Sequence, residues 1–96
     1  MDFLKKIFGE KVNISELIAN GAVVLDVRTK AEFQNGHVQN SINIPLDKLP
    51  DNLKKLNKNK PIVTCCASGA RSATAKNYLK SKGFELVYNG GSWRSL

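Results

Sequence analysis

One stretch limits what this chain can fold into: Ile62-Val63-Thr64-Cys65-Cys66-Ala67-Ser68-Gly69-Ala70-Arg71-Ser72. A short β-branched run ends in two cysteines, and a loop of small residues with Gly69 at its centre follows. The loop closes on Arg71 and Ser72, and Ala73 to Lys82 reads as a helix, with Ala73, Tyr78 and Leu79 apolar and Lys76, Asn77 and Lys80 polar. Strand, tight loop and helix in that order make an anion cradle. Backbone N–H groups converge on the loop, and the positive end of the helix dipole stands behind it. A cysteine at its mouth is expected to be held as thiolate by that dipole and by Arg71. From the residues alone, Cys65 and Cys66 can each claim the role of nucleophile.

The remaining segments supply partners for this unit. Ala22-Val23-Val24-Leu25-Asp26-Val27 is a nearly continuous apolar run, the pattern of a strand covered on both faces. Its Asp26 must be paired or hydrogen-bonded once buried. Arg28, two residues on, can take Asp26, form a surface pair with Glu32, or orient an anionic substrate. Thr29 can cap a helix over 31–35, and Asn13 or Ser15 one that runs to about Ala19. Lys11 to Asn13 suggests a short edge strand and Ile42 to Ile44 another strand ended by Pro45. Leu46 to Asn59 reads as two short amphipathic helices interrupted by Pro50. Glu85 to Tyr88 reads as a last strand, Asn89-Gly90-Gly91 as a flexible turn, and Ser92 to Leu96 as the start of a helix. Alternating strands and helices predict an open α/β sheet, mostly parallel, with helices on both faces. The working site is then expected at the carboxyl ends of the strands.

Ninety-six residues suit one domain spanning 1–96, with residues 1–10 an N-terminal helix or a frayed extension. Two adjacent cysteines cannot frame a secreted disulfide fold, which points to a reducing, cytoplasmic setting. No signal pattern or membrane-length apolar run stands out, so no membrane partner is expected. The net charge of +7 raises nucleic acid as a partner. Scattered lysines, three arginines and no interleaved aromatics argue against it. A positive field that concentrates a small anion near the loop fits better. The single His37 invites a general-base role, but a structural hydrogen-bonding role is favoured, and no second histidine exists to build a metal site.

Several pieces together resemble the single-domain rhodaneses, the thiosulfate:acceptor sulfurtransferases. Leu25-Asp26-Val27-Arg28 is similar to that family's early Asp-Val-Arg strand end, and Glu32-Phe33 to the acidic-aromatic pair after it. Gly36-His37-Val38 through Ser41-Ile42-Asn43-Ile44-Pro45 resembles its Gly-His-Ile…Ala-Ile-Asn-Ile-Pro segment, with Ser41 in place of alanine. Cys66-Ala67-Ser68-Gly69-Ala70-Arg71-Ser72 resembles its active-site loop, and Gly90-Gly91 before Trp93 its closing segment. The resemblance implies that Cys66 takes up sulfane sulfur as a persulfide. It also implies that amides from Ala67 to Arg71 cradle the persulfide, with Ser72 completing the loop. The donor would be a small anion such as thiosulfate, the acceptor cyanide, a thiol or a protein cysteine. No cofactor is implied, and a monomer is expected.

Ala67 and Ala70 stand where family members often carry larger or polar residues, so the rim is small and unspecific. Cys65, pointing to the opposite face of its strand, is expected to be a buried small hydrophobe. Two rival readings share these features. A cysteine phosphatase or arsenate reductase resembles a Cys-x5-Arg pattern, whereas only four residues separate Cys66 from Arg71. A persulfide-relay or interaction module would keep the cysteine yet turn over thiosulfate poorly.

Overall fold

The computed structural model describes residues 12–96. The proposed N-terminal helix or extension over 1–10 lies outside them. Helix α1 (Ile14–Ala19) is capped by Asn13, whose side chain accepts from the Glu16 N–H at 3.0 Å. Val12 and Asn13 therefore form the approach to a helix and not the expected edge strand. Strand β1 (Val23–Asp26) leads to α2 (Lys30–Gln34), β2 (Ile42–Asn43) and a 3-10 stretch over Leu46–Lys55. The two short helices or turns expected there are present as two 3-10 segments that meet at a kink at Asn52 (φ −126°, ψ 17°), two residues past Pro50. Strand β3 (Ile62–Cys66), helix α3 (Ala70–Ser81) and strand β4 (Val87–Ser92) follow, and a 3-10 turn over Trp93–Ser95 comes last.

Among the described residues the four strands are parallel, in the order β2-β1-β3-β4. The connection after β1 runs one way across the sheet, and the connections into β3 and β4 run the other. Right-handed crossovers then put α2 on one face and the 3-10 stretch with α3 on the other. Where the two directions part, at the carboxyl ends of β1 and β3, the sheet opens a crevice. Asp26 ends β1, and Cys66 ends β3.

Strand parity sorts the interior. Leu25, Val27, Ile62 and Cys66 face the cluster that holds Leu49, Ala75, Leu79, Phe84 and Val87. Val24, Asp26, Val63 and Cys65 alternate with them and are equally buried. β3 is buried along its whole length, as befits a parallel central strand, and its one polar side chain, Thr64, is satisfied by the Ser72 carbonyl at 2.9 Å.

Strand β4 begins at Val87, two residues later than expected, and two boundaries beside the site differ for physical reasons. Helix α3 begins at Ala70, not Ala73, because Gly69 at φ +108° turns the chain directly into the first turn. Strand β4 extends through Asn89, Gly90 and Gly91, which were expected to form a turn, because β3 supplies partners opposite Asn89 and Ser92.

Candidate active site

The end of β3 delivers Cys66 to the floor of the loop, and the turn through Gly69 folds α3's amino end back over the sulfur. The Gly69 N–H reaches Cys66 Sγ at 3.0 Å and the Ser72 N–H at 3.4 Å. The thiol lies 3.5 Å from Ser72 Oγ and can donate to it. The Ser68 N–H also acts on the sulfur. Burial is the largest single influence and pushes the thiol up. The Ser72 hydroxyl and the Ser72, Gly69 and Ser68 amides together outweigh it, and Cys66 falls to about 7 from an ordinary 9.0. Arg71, expected to favour the thiolate, attracts it by charge, while the groups that donate to the sulfur are the loop amides and Ser72.

Cys65 has the opposite environment. It is fully buried, faces the side of the sheet that carries Asp26, and is pushed up to about 12, first by burial and then by the Asp26 charge. It is buried on that face as a small apolar side chain, away from the loop amides.

Arg71 reaches across to α2 and grips Glu32 with both guanidinium nitrogens, at 2.8 and 3.0 Å. Glu32 is held down to about 2, chiefly by that pair. The same carboxylate closes a capping box with Thr29, accepting from the Thr29 N–H at 3.0 Å while Thr29 Oγ1 accepts from the Glu32 N–H at 3.2 Å. The loop is thereby tied to α2's first turn. Sequence reasoning assigned Glu32 only to Arg28 and missed this clamp; the Thr-x-x-Glu signature fixes Glu32 at the helix start but does not name Arg71.

Arg28 is placed otherwise than as a ligand for an anionic donor. It is 4% exposed, and its Nε and Nη2 bind Asp26 at 2.6–3.0 Å. Nη2 also donates to the Gly36 carbonyl at 2.8 Å, and the guanidinium lies 4.5 Å from the Trp93 ring centre. Asn43 adds bonds from its Nδ2 to the Asp26 and Arg28 carbonyls, each 3.0 Å. Asp26, Arg28, Gly36, Asn43 and Trp93, scattered in sequence, thus meet in one network behind the site. His37 Nδ1 donates to the Phe33 carbonyl at 2.8 Å, and its ring stacks on Phe33 at 3.8 Å. Both contacts are with its own segment, four residues back.

Asn89 is the second residue that sequence reasoning missed. Its Oδ1 lies 2.6 Å from Ser72 Oγ and accepts from the Gly91 N–H at 2.9 Å. Its Nδ2 donates to the Gly69 carbonyl at 3.2 Å. The Asn-Gly-Gly turn signature conceals it.

A shallow cavity of about 360 Å³, lined by Val27, Thr29, Pro45, Leu46, Asp47 and Arg71, opens beside the loop and has room for a small substrate. A slightly larger groove of about 400 Å³, walled by Leu53, Leu56, Phe84 and lysines, includes neither cysteine nor any residue of the loop. Among the described residues, no group of three His, Cys, Asp or Glu side chains is placed to hold a metal ion. None of their helices is long and apolar enough to cross a membrane.

Comparison with known proteins agrees with this geometry. Residues 11–94 match the rhodanese-like domain. Thiosulfate sulfurtransferase GlpE of Pseudomonas savastanoi is 37% identical over 79 residues, covering 78% of this chain and 74% of that protein. The putative sulfur carrier protein YrkF of Bacillus subtilis is 34% identical over 82 residues, 85% of this chain but 42% of the longer protein. Among solved structures, a rhodanese-related protein from Thermoplasma volcanium superposes with a TM-score of 0.75 at 36% identity, covering 90% of this chain and 88% of that one. The chain belongs to the rhodanese family, alongside its single-domain, thiosulfate sulfurtransferase-like members.

Proposed function

We propose that the chain transfers sulfane sulfur through a persulfide on Cys66. The observation that carries this reading is the cradle itself: amide N–H groups and one hydroxyl at 3.0–3.5 Å from a sulfur that they hold near its ionisation point at neutral pH. The thiolate attacks the outer sulfur of a donor such as thiosulfate. The S–S bond of the donor breaks, sulfite leaves with the bonding pair, and Cys66 carries a terminal sulfur anion. An acceptor nucleophile (cyanide, a thiol or a protein cysteine) then attacks that outer sulfur and restores the thiolate. The terminal anion gathers the amides of Ala67 to Arg71 as an oxyanion hole gathers an oxygen, and one such donor is worth about 2.7–4 kcal/mol. Arg71 closes the loop by its grip on Glu32 and leaves its small rim, Ala67 and Ala70, open. No metal or organic cofactor enters these steps.

A persulfide relay to a partner protein is the second reading, favoured by the small rim and by the likeness to a putative sulfur carrier protein. Faster sulfur transfer to candidate protein thiols than to cyanide selects the relay, and the reverse selects the small-acceptor enzyme.

The test is intact-mass measurement after incubation with thiosulfate. The protein gains one sulfur atom, loses it to cyanide, fails to gain it as Cys66→Ser, and gains it as Cys65→Ser. Equal loss in both folded variants refutes the assignment of roles. Robust turnover of an aryl phosphate without any gain of sulfur refutes the reaction, in favour of a cysteine phosphatase.

A further inference from the structure

We propose that Asn89 is a positioning residue for Cys66, acting through the one proton of the Ser72 hydroxyl. The proposal rests on Cys66 as the nucleophile. Asn89 lies on β4 opposite Thr64, and its amide orientation is decided by its neighbours. The Gly91 N–H can only donate and the Gly69 carbonyl can only accept, so Oδ1 faces Gly91 at 2.9 Å and Nδ2 faces Gly69 at 3.2 Å. Oδ1 is then an acceptor 2.6 Å from Ser72 Oγ.

Ser72 has one hydroxyl proton and three acceptors within reach. Asn89 Oδ1 stands at 2.6 Å, the Gly69 carbonyl at 3.1 Å and Cys66 Sγ at 3.5 Å. While Cys66 is a thiol, its S–H donates to Ser72 Oγ, and the Ser72 proton goes to the nearest acceptor, Asn89. When the thiol proton leaves to solvent, the sulfur can only accept, and the Ser72 O–H turns toward it. Asn89 Oδ1 keeps the Gly91 N–H in either state, so the turn leaves no orphaned group. Asn89 and the sulfur therefore compete for the same proton, and the carboxamide sets how readily Cys66 ionises.

The charged and titratable groups around the sulfur are Arg71 with Glu32 of α2 against it, Asp47 across the cavity, the Asp26–Arg28 pair of the β1 end, and Cys65 next in the chain. None of these is changed by substitution at position 89. Asn89→Ala removes the competitor and lets the thiolate take the Ser72 proton. Asn89→Asp offers a charged acceptor that holds the proton harder and adds a like charge near the thiolate.

The test is the pH profile of iodoacetamide alkylation of Cys66 in folded protein. The midpoint moves down by about half a unit in Asn89→Ala and up by about one unit in Asn89→Asp, so that near pH 6 alkylation is roughly threefold faster in the first and roughly tenfold slower in the second. In a Ser72→Ala background the alanine shift disappears. A residue that merely braces the loop shifts both variants in the same direction or changes only the melting temperature, and either result overturns the proposal. So does an alanine shift that survives without Ser72. If Asn89→Ala does not fold, Asn89→Ser, too short to reach Ser72, carries the same prediction. Alkylation needs no sulfur transfer: a chain that gains no sulfur from thiosulfate yet shows these shifts refutes the functional reading and leaves this one standing.

Discussion

The two adjacent cysteines allow the electrostatic argument to be tested inside one molecule. The perturbation is pH and the readout is alkylation of each thiol. Cys66 sits at about 7 and Cys65 at about 12. Each unit is a factor of about ten in thiolate fraction, so near neutrality Cys66 is about half ionised while Cys65 is ionised to about one part in 10⁵. The comparison is not that lopsided in rate, because a thiolate of higher pKa is the stronger nucleophile. With a Brønsted coefficient of about 0.4–0.5, five units return a factor of about 100–300 to Cys65. What remains is roughly a 150- to 500-fold advantage for Cys66.

Static exposure does not separate them, Cys65 being 0% and Cys66 1% exposed; the difference is that Cys66 stands at the mouth of the loop, under its amides, while Cys65 lies inside the strand. The assay is a short iodoacetamide exposure between about pH 5 and 9, followed by peptide mapping, with a urea-unfolded control in which both thiols react alike. Folded protein is expected to label on Cys66 alone, with a midpoint at about 7. Labelling of Cys65 within tenfold of Cys66, or a Cys66 midpoint at or above the ordinary 9.0, refutes the claim that the amides and Ser72 outweigh burial at that sulfur.

Two stability predictions probe the frame around the site. A Cβ on Gly90 meets Val63 Cγ1 at 2.7 Å and the Thr64 carbonyl at 3.0 Å, and since the second is backbone, β4 itself must shift. Gly90→Ala is expected at the upper end of the overpacking range, about 2–3 kcal/mol, or roughly 10–20 °C of melting temperature, while Gly91→Ala, with open space but φ +78°, costs about 1 kcal/mol; equal melting of the two variants contradicts the packing argument. Asp26→Asn removes the charge that compensates Arg28, which is 4% exposed, and is expected to cost about 3–5 kcal/mol in a chemical melt. Trp93 fluorescence should change with it, because Arg28 stacks on that ring at 4.5 Å; an unchanged melt and spectrum contradict the role of Arg28 as the hub of the network.

Local signals in the sequence were reliable where a single segment decides the outcome. The unbroken apolar run to Asp26, the Thr29 cap and the small loop after Cys66 are each set by nearest neighbours, and each stands where its residues predict. What was hidden depends on which strands lie side by side. The Glu32–Arg71 clamp joins residues 39 apart, and it exists only because β1 and β3 are adjacent and bring their carboxyl-end loops together. Asn89 was hidden for the same reason: Asn-Gly-Gly carries every local mark of a turn, and only the neighbouring β3 makes it a strand. Arg28 was legible as a partner for Asp26, but the choice among three roles needed the positions of Gly36 and Trp93.

The register of β4 on β3 explains why a glycine pair belongs beside this loop. Thr64 stands opposite Asn89 and Cys66 opposite Ser92, so two steps on β3 are matched by three on β4. The extra residue is a bulge, and a bulge turns a side chain that regular pairing would aim elsewhere. Two constraints fall on the bulged pair. Gly90 must pass over Val63 with no room for a Cβ, and Gly91 must take φ +78°. Gly69 approaches from the other side, where its own Cβ would come within 3.4 Å of the Gly91 Cα. With both glycines in place, the Gly91 N–H turns back to hold Asn89 Oδ1 while Asn89 holds Ser72. The closing Gly-Gly of the sequence therefore serves the sulfur at second hand. It permits the bulge, the bulge aims Asn89, and Asn89 reaches the hydroxyl that Cys66 shares.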